Sequence, residues 1–325
     1  MPEVDRAEDR VLLDVVHETG YRYASPVELS QHIAHLRPRE DACCQRLLGF
    51  EMSVDPPPSH HASDVDGFGN HRAVFSMAYA HDHLLVRATS RVEVRPQPPL
   101  DASPPWELAR ERWRFRAGAA YDEAAAFRFA SPQVGAAALA DPGLRAFALA
   151  SFTPGRALHE AATELMHRVH AAIRYVPQST TVSTPVLEVF AQRRGVCQDQ
   201  AHLMIALLRS LGLAARYVSG YLRTEPAGAP PRLLGADASH AWVALACPAA
   251  SGGDGSAEAV RWLELDATND RLAGTDHVRV AWGRDFTDVT PLAGVIRGGG
   301  AHTLSVRVST QEVPQAMHPM GTIPA

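Results

Sequence analysis

Between positions 197 and 212 the chain carries the segment that most restricts what it can become. Ala201, Met204, Ile205, Leu208 and Leu211 recur at helical spacing and form one apolar stripe, and Gly212 stands where a helix ends. Such a helix is stable only with its stripe buried against another layer. Candidate partners follow at once: 216–222, 240–246 and 260–266 read as strands separated by turn-rich loops. The last loop, 247–259, contains Gly252, Gly253 and Gly255.

Upstream, residues 11–95 are rich in β-formers, with an apolar run at 11–16, a less regular one at 27–36, and partial alternation at 73–79 and 84–94. Turn clusters at 56–58 (three prolines) and 66–70 (Asp-Gly-Phe-Gly-Asn) separate them, the pattern of a small antiparallel domain. Residues 106–172 are Ala-rich and helical in pattern, broken near 131–132 and 153–155, with the best helix at 158–173. A loop at 177–185 and a short helix at 186–192 lead to Gly195, and a strand at 304–308 precedes a Pro-rich tail. The expected domains are therefore 1–98 (β-rich), 99–155 (helical connection), 156–310 (core) and 311–325 (tail). A chain of 325 residues is long enough for two cores.

With 46% hydrophobic and 21% charged residues, the composition is that of a folded domain. A formal charge of -5 leaves no basic footprint for nucleic acid, and no apolar run approaches the roughly 20 residues a bilayer span needs. The charged first ten residues do not resemble a secretory signal. Cys43, Cys44, Cys197 and Cys247 form neither a CxxC pair nor a spaced framework, which predicts no zinc ribbon, no disulfide scaffold and a cytoplasmic setting.

Cys197 lies at the start of the strong helix, after Arg194-Gly195-Val196. Unpaired amides and the macrodipole at a helix N-terminus favour a thiolate over a thiol, and the same amides can donate to a developing oxyanion. A lone cysteine is more often a small buried hydrophobe, so the strands matter. If 240–246 and 260–266 pair as a flush antiparallel hairpin, His240 stands directly across from Asp266 on one face. Ala241, Val243, Leu245, Leu263 and Leu265 then share the other face. A carboxylate beside an imidazole fixes its tautomer and stabilises the imidazolium, completing a nucleophile–base–orienter set. A slip of one residue would separate the two side chains.

Several stretches together resemble the transglutaminase-like core of bacterial proteins. They are Gly195-Val-Cys-Gln-Asp-Gln-Ala-His-Leu, Gly212-Leu-Ala-Ala-Arg-Tyr-Val-Ser-Gly-Tyr, Ala238-Ser-His-Ala-Trp-Val, Leu265-Asp-Ala-Thr-Asn, and the run from Asp276 to Leu292. His17-Glu-Thr-Gly-Tyr-Arg-Tyr, Leu36-Arg-Pro-Arg and Asp66-Gly-Phe-Gly-Asn are similar to the β domain that precedes this core. The resemblance covers roughly 11–308. It implies an α+β, cysteine-protease-like fold, in which a helix carrying the cysteine packs on an antiparallel sheet after a small β-rich domain. It also implies a triad of Cys197, His240 and Asp266 that attacks a peptide or isopeptide amide and passes the acyl group to water or an amine. No cofactor or metal is implied. Gln200 stands where relatives usually have an aromatic, and Ala267 where they often have proline.

For the oxyanion, the backbone amide of Cys197 is the first choice and the side chain of Gln178 a second. His159-Glu160-Ala161-Ala162-Thr163 fails as a zinc signature because Thr163 occupies the second ligand position. His167 and His170, one turn apart, could share a metal but read better as surface residues. His60-His61 and His81-Asp82-His83 read as solvated turns, and Asp64-Val-Asp-Gly as a hairpin turn rather than a calcium loop. His202, five residues after Cys197, and His277, outside the strand pattern and without an evident carboxylate partner, are rival bases. Cys247 is expected to be a bystander.

Overall fold

The computed structural model describes residues 10–313 except 42, 101, 115–122, 225–232, 236–237 and 249–259. The glycine-rich loop and the Pro-rich tail therefore lie largely outside the described residues. Five strands come first: β1 (Val11–Ala34), β2 (Gln45–Asp55), β3 (His60–Val65), β4 (His71–Met77) and β5 (His81–Val94). Helices α1 (Trp106–Arg112), α2 (Ala136–Ala140), α3 (Pro142–Leu149) and α4 (Leu158–Ala172) follow. Then come β6 (Arg174–Tyr175), α5 (Val186–Gln192), β7 (Arg194–Gly195) and α6 (Cys197–Ser210). The remaining strands are β8 (Ala215–Leu222), β9 (His240–Pro248), β10 (Val260–Asp266), β11 (Arg271–Leu272), β12 (His277–Gly283), β13 (Leu292–Gly298) and β14 (His302–Glu312).

The strands after α6 form a five-stranded sheet in the order β11-β10-β9-β8-β12, with antiparallel neighbours throughout. The stripe on α6 packs into one core with Ala241, Val243, Leu245, Leu263 and Leu265, the sheet face expected for them. The helix is buried further round than its stripe requires. Every residue from Asp199 to Leu208 is buried, because α2, α3, α4 and α5 cover the side away from the sheet. The polar residues drawn in are satisfied locally. Arg209 donates to the carbonyls of Ala215, Phe129 and Arg284, and His202 accepts from the Phe286 N–H.

The N-terminal sheet is organised by the 24-residue β1. Its first half runs between β5 and β14, and its second half between β4 and β13. Strands β13 and β14 thus complete the first sheet, so the expected boundary of a core ending at 310 is corrected: from 292 onward the chain returns to the N-terminal layer. Period-two patterns identify strands but not the sheet they join, since a long-range pairing leaves no local mark. Leu13, Val15, Val92 and Val94 pack into the same core as α6. Gln45 brackets the Arg279 backbone from both sides, and Asn70 does the same for Trp282. The 66–70 cluster is the β3–β4 turn, closed by Asp66 accepting from the N–H groups of Phe68 and Asn70.

Cys43 and Cys44 are joined to each other by a disulfide, a pairing of neighbours that the sequence reading, which expected no disulfide scaffold, did not include. A bond between neighbours closes no loop, so spacing gives no hint of it. Cys197 and Cys247 are free.

Gly220 pairs with His240 across β8 and β9. A Cβ there would lie 2.1 Å from the Val278 carbonyl oxygen and 2.4 Å from the Trp242 ring, and the backbone oxygen cannot step aside cheaply. Gly220→Ala should cost about 3 kcal/mol or more, read as a lowered urea midpoint. An unchanged midpoint would show that β8 and β12 can separate without penalty.

Candidate active site

The N-terminus of α6 is fixed before the cysteine is reached. The buried Asp199 carboxylate accepts from the Val196 N–H at 2.7 Å and from the Thr180 hydroxyl at 2.6 Å, tying the 177–185 loop to the helix. Burial pushes this carboxyl up, while the Thr180 and Val196 bonds oppose that. Gly195 allows the contact, since a Cβ there would come within 2.8 Å of the Asp199 side chain. Cys197 is therefore presented, partly buried, as the first helical residue, with one of the helix's unpaired N–H groups as its own.

His240 opens β9 and is buried. Its Nε2 lies 2.9 Å from Asp266 Oδ2. Its Nδ1 has no hydrogen-bond partner, and the Cys197 thiol is near enough to raise the basicity of the ring. Burial disfavours a charged ring here. The charge and hydrogen bond of Asp266, then the nearby Cys197, outweigh it and push His240 up to about 10. Burial likewise disfavours ionised Asp266, but His240 and the His277 hydrogen bond hold this carboxyl well below the usual range.

The carboxylate and imidazole meet as expected, in a different register. Val260 pairs with Pro248 and Leu265 with Val243, displaced by two residues from the flush hairpin. Asp266 thus falls across from Trp242 and reaches His240 diagonally. Because side chains alternate with period two, an even displacement keeps both on one face. The Trp242 indole stacks on His240 with centroids 6.0 Å apart, and its Nε1–H donates to Glu264, itself paired with Arg279 at 2.7 Å.

Sequence reasoning missed Asn269 and Gly235. Asn269 accepts from the Leu234 N–H at 2.8 Å while its Nδ2 donates to Asp266 Oδ2, also at 2.8 Å. This holds the segment ahead of β9 against the carboxylate. Gly235, in the left-handed region (φ 89°), lies over the imidazole, where a Cβ would be 2.7 Å from Nδ1. Asn269 belongs to the Leu265-Asp-Ala-Thr-Asn motif, so a signal existed. Gly235 had none.

The other candidates separate. Gln178 is exposed, with a left-handed backbone (φ 59°), and makes no hydrogen bond to Cys197. Gln200 is buried and donates to the Ile173 carbonyl. His202 is buried, which lowers it to about 4 with Asp285 opposing and Arg209 assisting, and it serves the Phe286 amide. Cys247 lies inside β9, where burial pushes its thiol up to about 12. His167 and His170 turn to different partners, Asp270 and the Ala267 carbonyl, rather than to a common point. Asp64 pairs with Arg72 across the β3–β4 hairpin. The expectation for His277 is corrected: it opens β12, and its Nε2 lies 3.2 Å from Asp266 Oδ2.

A helix-borne cysteine against an antiparallel sheet carrying His and Asp defines the cysteine-protease-like class of fold. The transglutaminase-like superfamily matches over residues 147–267, and the bacterial transglutaminase-like N-terminal region over 13–93. The chain belongs to this superfamily, in the bacterial form with an N-terminal β region. An uncharacterized protein of Mycobacterium tuberculosis is 37% identical, with 92% of each chain covered. One of Mycobacterium leprae is 32% identical, covering 90% of this chain and 96% of its own. A crystal structure from Cytophaga hutchinsonii, named a "putative cysteine protease", superposes with a TM-score of 0.69 at 20% identity, covering 96% of this chain and 94% of that one. It has the same fold.

Gly235→Ala should crowd His240 Nδ1 while leaving the sheet intact. Iodoacetamide alkylation of Cys197 should slow by on the order of tenfold with an unchanged circular dichroism spectrum. An unaltered rate would place Gly235 outside the site.

Proposed function

We propose that this protein is a thiol-dependent acyl-transfer enzyme acting on peptide or isopeptide amides, with Cys197 as nucleophile, His240 as base and acid, and Asp266 as orienter. The observation that carries this is the division of the His240 ring, with Nε2 on Asp266 and Nδ1 left to the cysteine at a helix N-terminus. His240 takes the Cys197 thiol proton, and the sulfur forms a bond to the amide carbonyl carbon as the C=O electrons move onto oxygen. The Cys197 N–H donates to that oxygen. Collapse breaks the C–N bond, His240 gives its proton to the leaving amine, and a thioester remains. Water then adds to the thioester carbon as His240 takes its proton, the C–S bond breaks to release the acid, and His240 returns the proton to the Cys197 sulfur.

Hydrolysis is the preferred outcome, and the Cytophaga hutchinsonii likeness agrees with it through that protein's name. In the alternative, a primary amine takes the place of water and the protein is a transamidase. Mass spectrometry of products from a peptide library, with and without an added primary amine, separates the two. Products 18 Da lighter than the free acid plus amine would not arise by hydrolysis, and new amides formed only with amine present would move the assignment to transamidation.

Iodoacetamide should label Cys197 first, since Cys247 is buried and Cys43 and Cys44 are joined. Cys197→Ala and His240→Ala should fall near background in kcat/KM, and the double variant no further. Asp266→Ala should retain measurable activity. A His raised in the folded state keeps its proton until pH passes its raised value, so the alkaline limb should approach pH 10. Full activity in folded His240→Ala would refute the assignment.

A further inference from the structure

Asp266 serves two histidines. Its Oδ2 receives His240 Nε2, Asn269 Nδ2 and His277 Nε2, at 2.9, 2.8 and 3.2 Å. Its Oδ1 receives the N–H groups of Thr268 and Asn269. A carboxylate offers about four lone-pair sites, so five donors compete for its charge.

The tautomer of His277 follows from its surroundings. Nδ1 accepts from the Gly274 N–H at 3.3 Å, so this nitrogen presents a lone pair. The proton of the neutral ring then sits on Nε2, aimed at Asp266. The ring is fully buried, edge-on to Trp242 at 5.2 Å. The charged or titratable groups facing it are Asp266 and Glu264 from β10 and His240 from β9. Burial first, and His240 in addition, disfavour its protonation more than the two carboxylates favour it, so it stays neutral. Both nitrogens are engaged, which leaves neither for a thiol and excludes His277 as the base.

We infer that His277 is a positioning residue acting through Asp266, a neutral donor that takes up part of the Oδ2 charge and limits how tightly the carboxylate holds the proton of His240. This rests on the triad proposed above. The need arises because the side chains of His240 and Asp266 are both wholly buried. In such surroundings an unshared carboxylate holds an imidazolium strongly. A base that must return its proton to a leaving amine works best when it is not too basic for that step. Sharing Oδ2 with a second donor moves His240 in the useful direction.

The inference fixes a sign that a structural role would not. If His277 only braced Asp266, removing it would loosen the pair and lower the basicity of His240. If it competes for Oδ2, removing it frees charge for His240 and raises that basicity. The readout is the pH dependence of Cys197 alkylation by iodoacetamide in the full-length protein, mapped by peptide mass spectrometry. Its alkaline step reports loss of the imidazolium proton beside the thiolate.

His277→Phe, which keeps a ring but no donor, should move that step upward by on the order of half a pH unit. His277→Gln, which keeps an N–H, should stay close to wild type. A superposed or downward-shifted His277→Phe profile overturns the inference with the triad intact. A wild-type profile without the step, unaltered by His240→Ala, overturns the triad and the inference together. Should His277→Phe fail to fold, nitrogen-15 NMR of the wild-type imidazoles decides: a neutral Nε2–H ring at pH 7 supports the role, and an Nδ1–H or cationic ring overturns it.

Discussion

The buried contact between His240 and Asp266 is what the surrounding structure has to support. Two ionisable groups have been taken wholly out of water. Deleting one partner of such a pair costs roughly 3–5 kcal/mol, and keeping both demands nearly ideal geometry and further hydrogen bonds. Asn269, Thr268 and His277 supply those bonds to the carboxylate. On the imidazole side, Trp242 provides a ring to stack on, held by Glu264, which is held in turn by Arg279. The polar face of the five-stranded sheet is thus a connected set of contacts that all bear on the orientation of one ring.

The N-terminal sheet takes part in that support. Gln45 holds the Arg279 backbone and Asn70 holds that of Trp282, both on β12, the strand that begins with His277. Arg39 lies over the Trp282 ring at 3.5 Å, and Arg216 is sandwiched between Trp262 and Trp282 at 3.7 and 3.6 Å. These contacts pass from the first sheet to the strand edge beside Asp266. The return of the chain through β13 and β14 to flank β1 joins the two layers a second time, so the N-terminal sheet is completed by strands from the far end of the chain.

Opposite the polar face, α6 answers a different demand. Its N-terminus must stay at the surface with the cysteine while its body is buried on every side. Asp199 and Gly195 settle the first turn, and α2 to α5 enclose the rest. The site lies where these two constraints meet, at the end of a buried helix and the edge of a polar sheet face.

Much of this was legible in local patterns. The period of 3.6 in 197–212 and of two in the strands after it placed the helix and sheet, and parity alone put His240 and Asp266 on one face, so that even a register displaced by two left them together. The sequence motifs therefore determined the class of fold and the facing of His240 and Asp266. Tertiary structure decided what depends on partners distant in the chain. It placed His277 on Asp266, Gly235 over the imidazole, and β13 and β14 beside β1, and it joined Cys43 to Cys44. No periodicity encodes these, because each is a close approach fixed by how whole elements pack, and a residue's spacing to its neighbours carries no record of what will be folded against it.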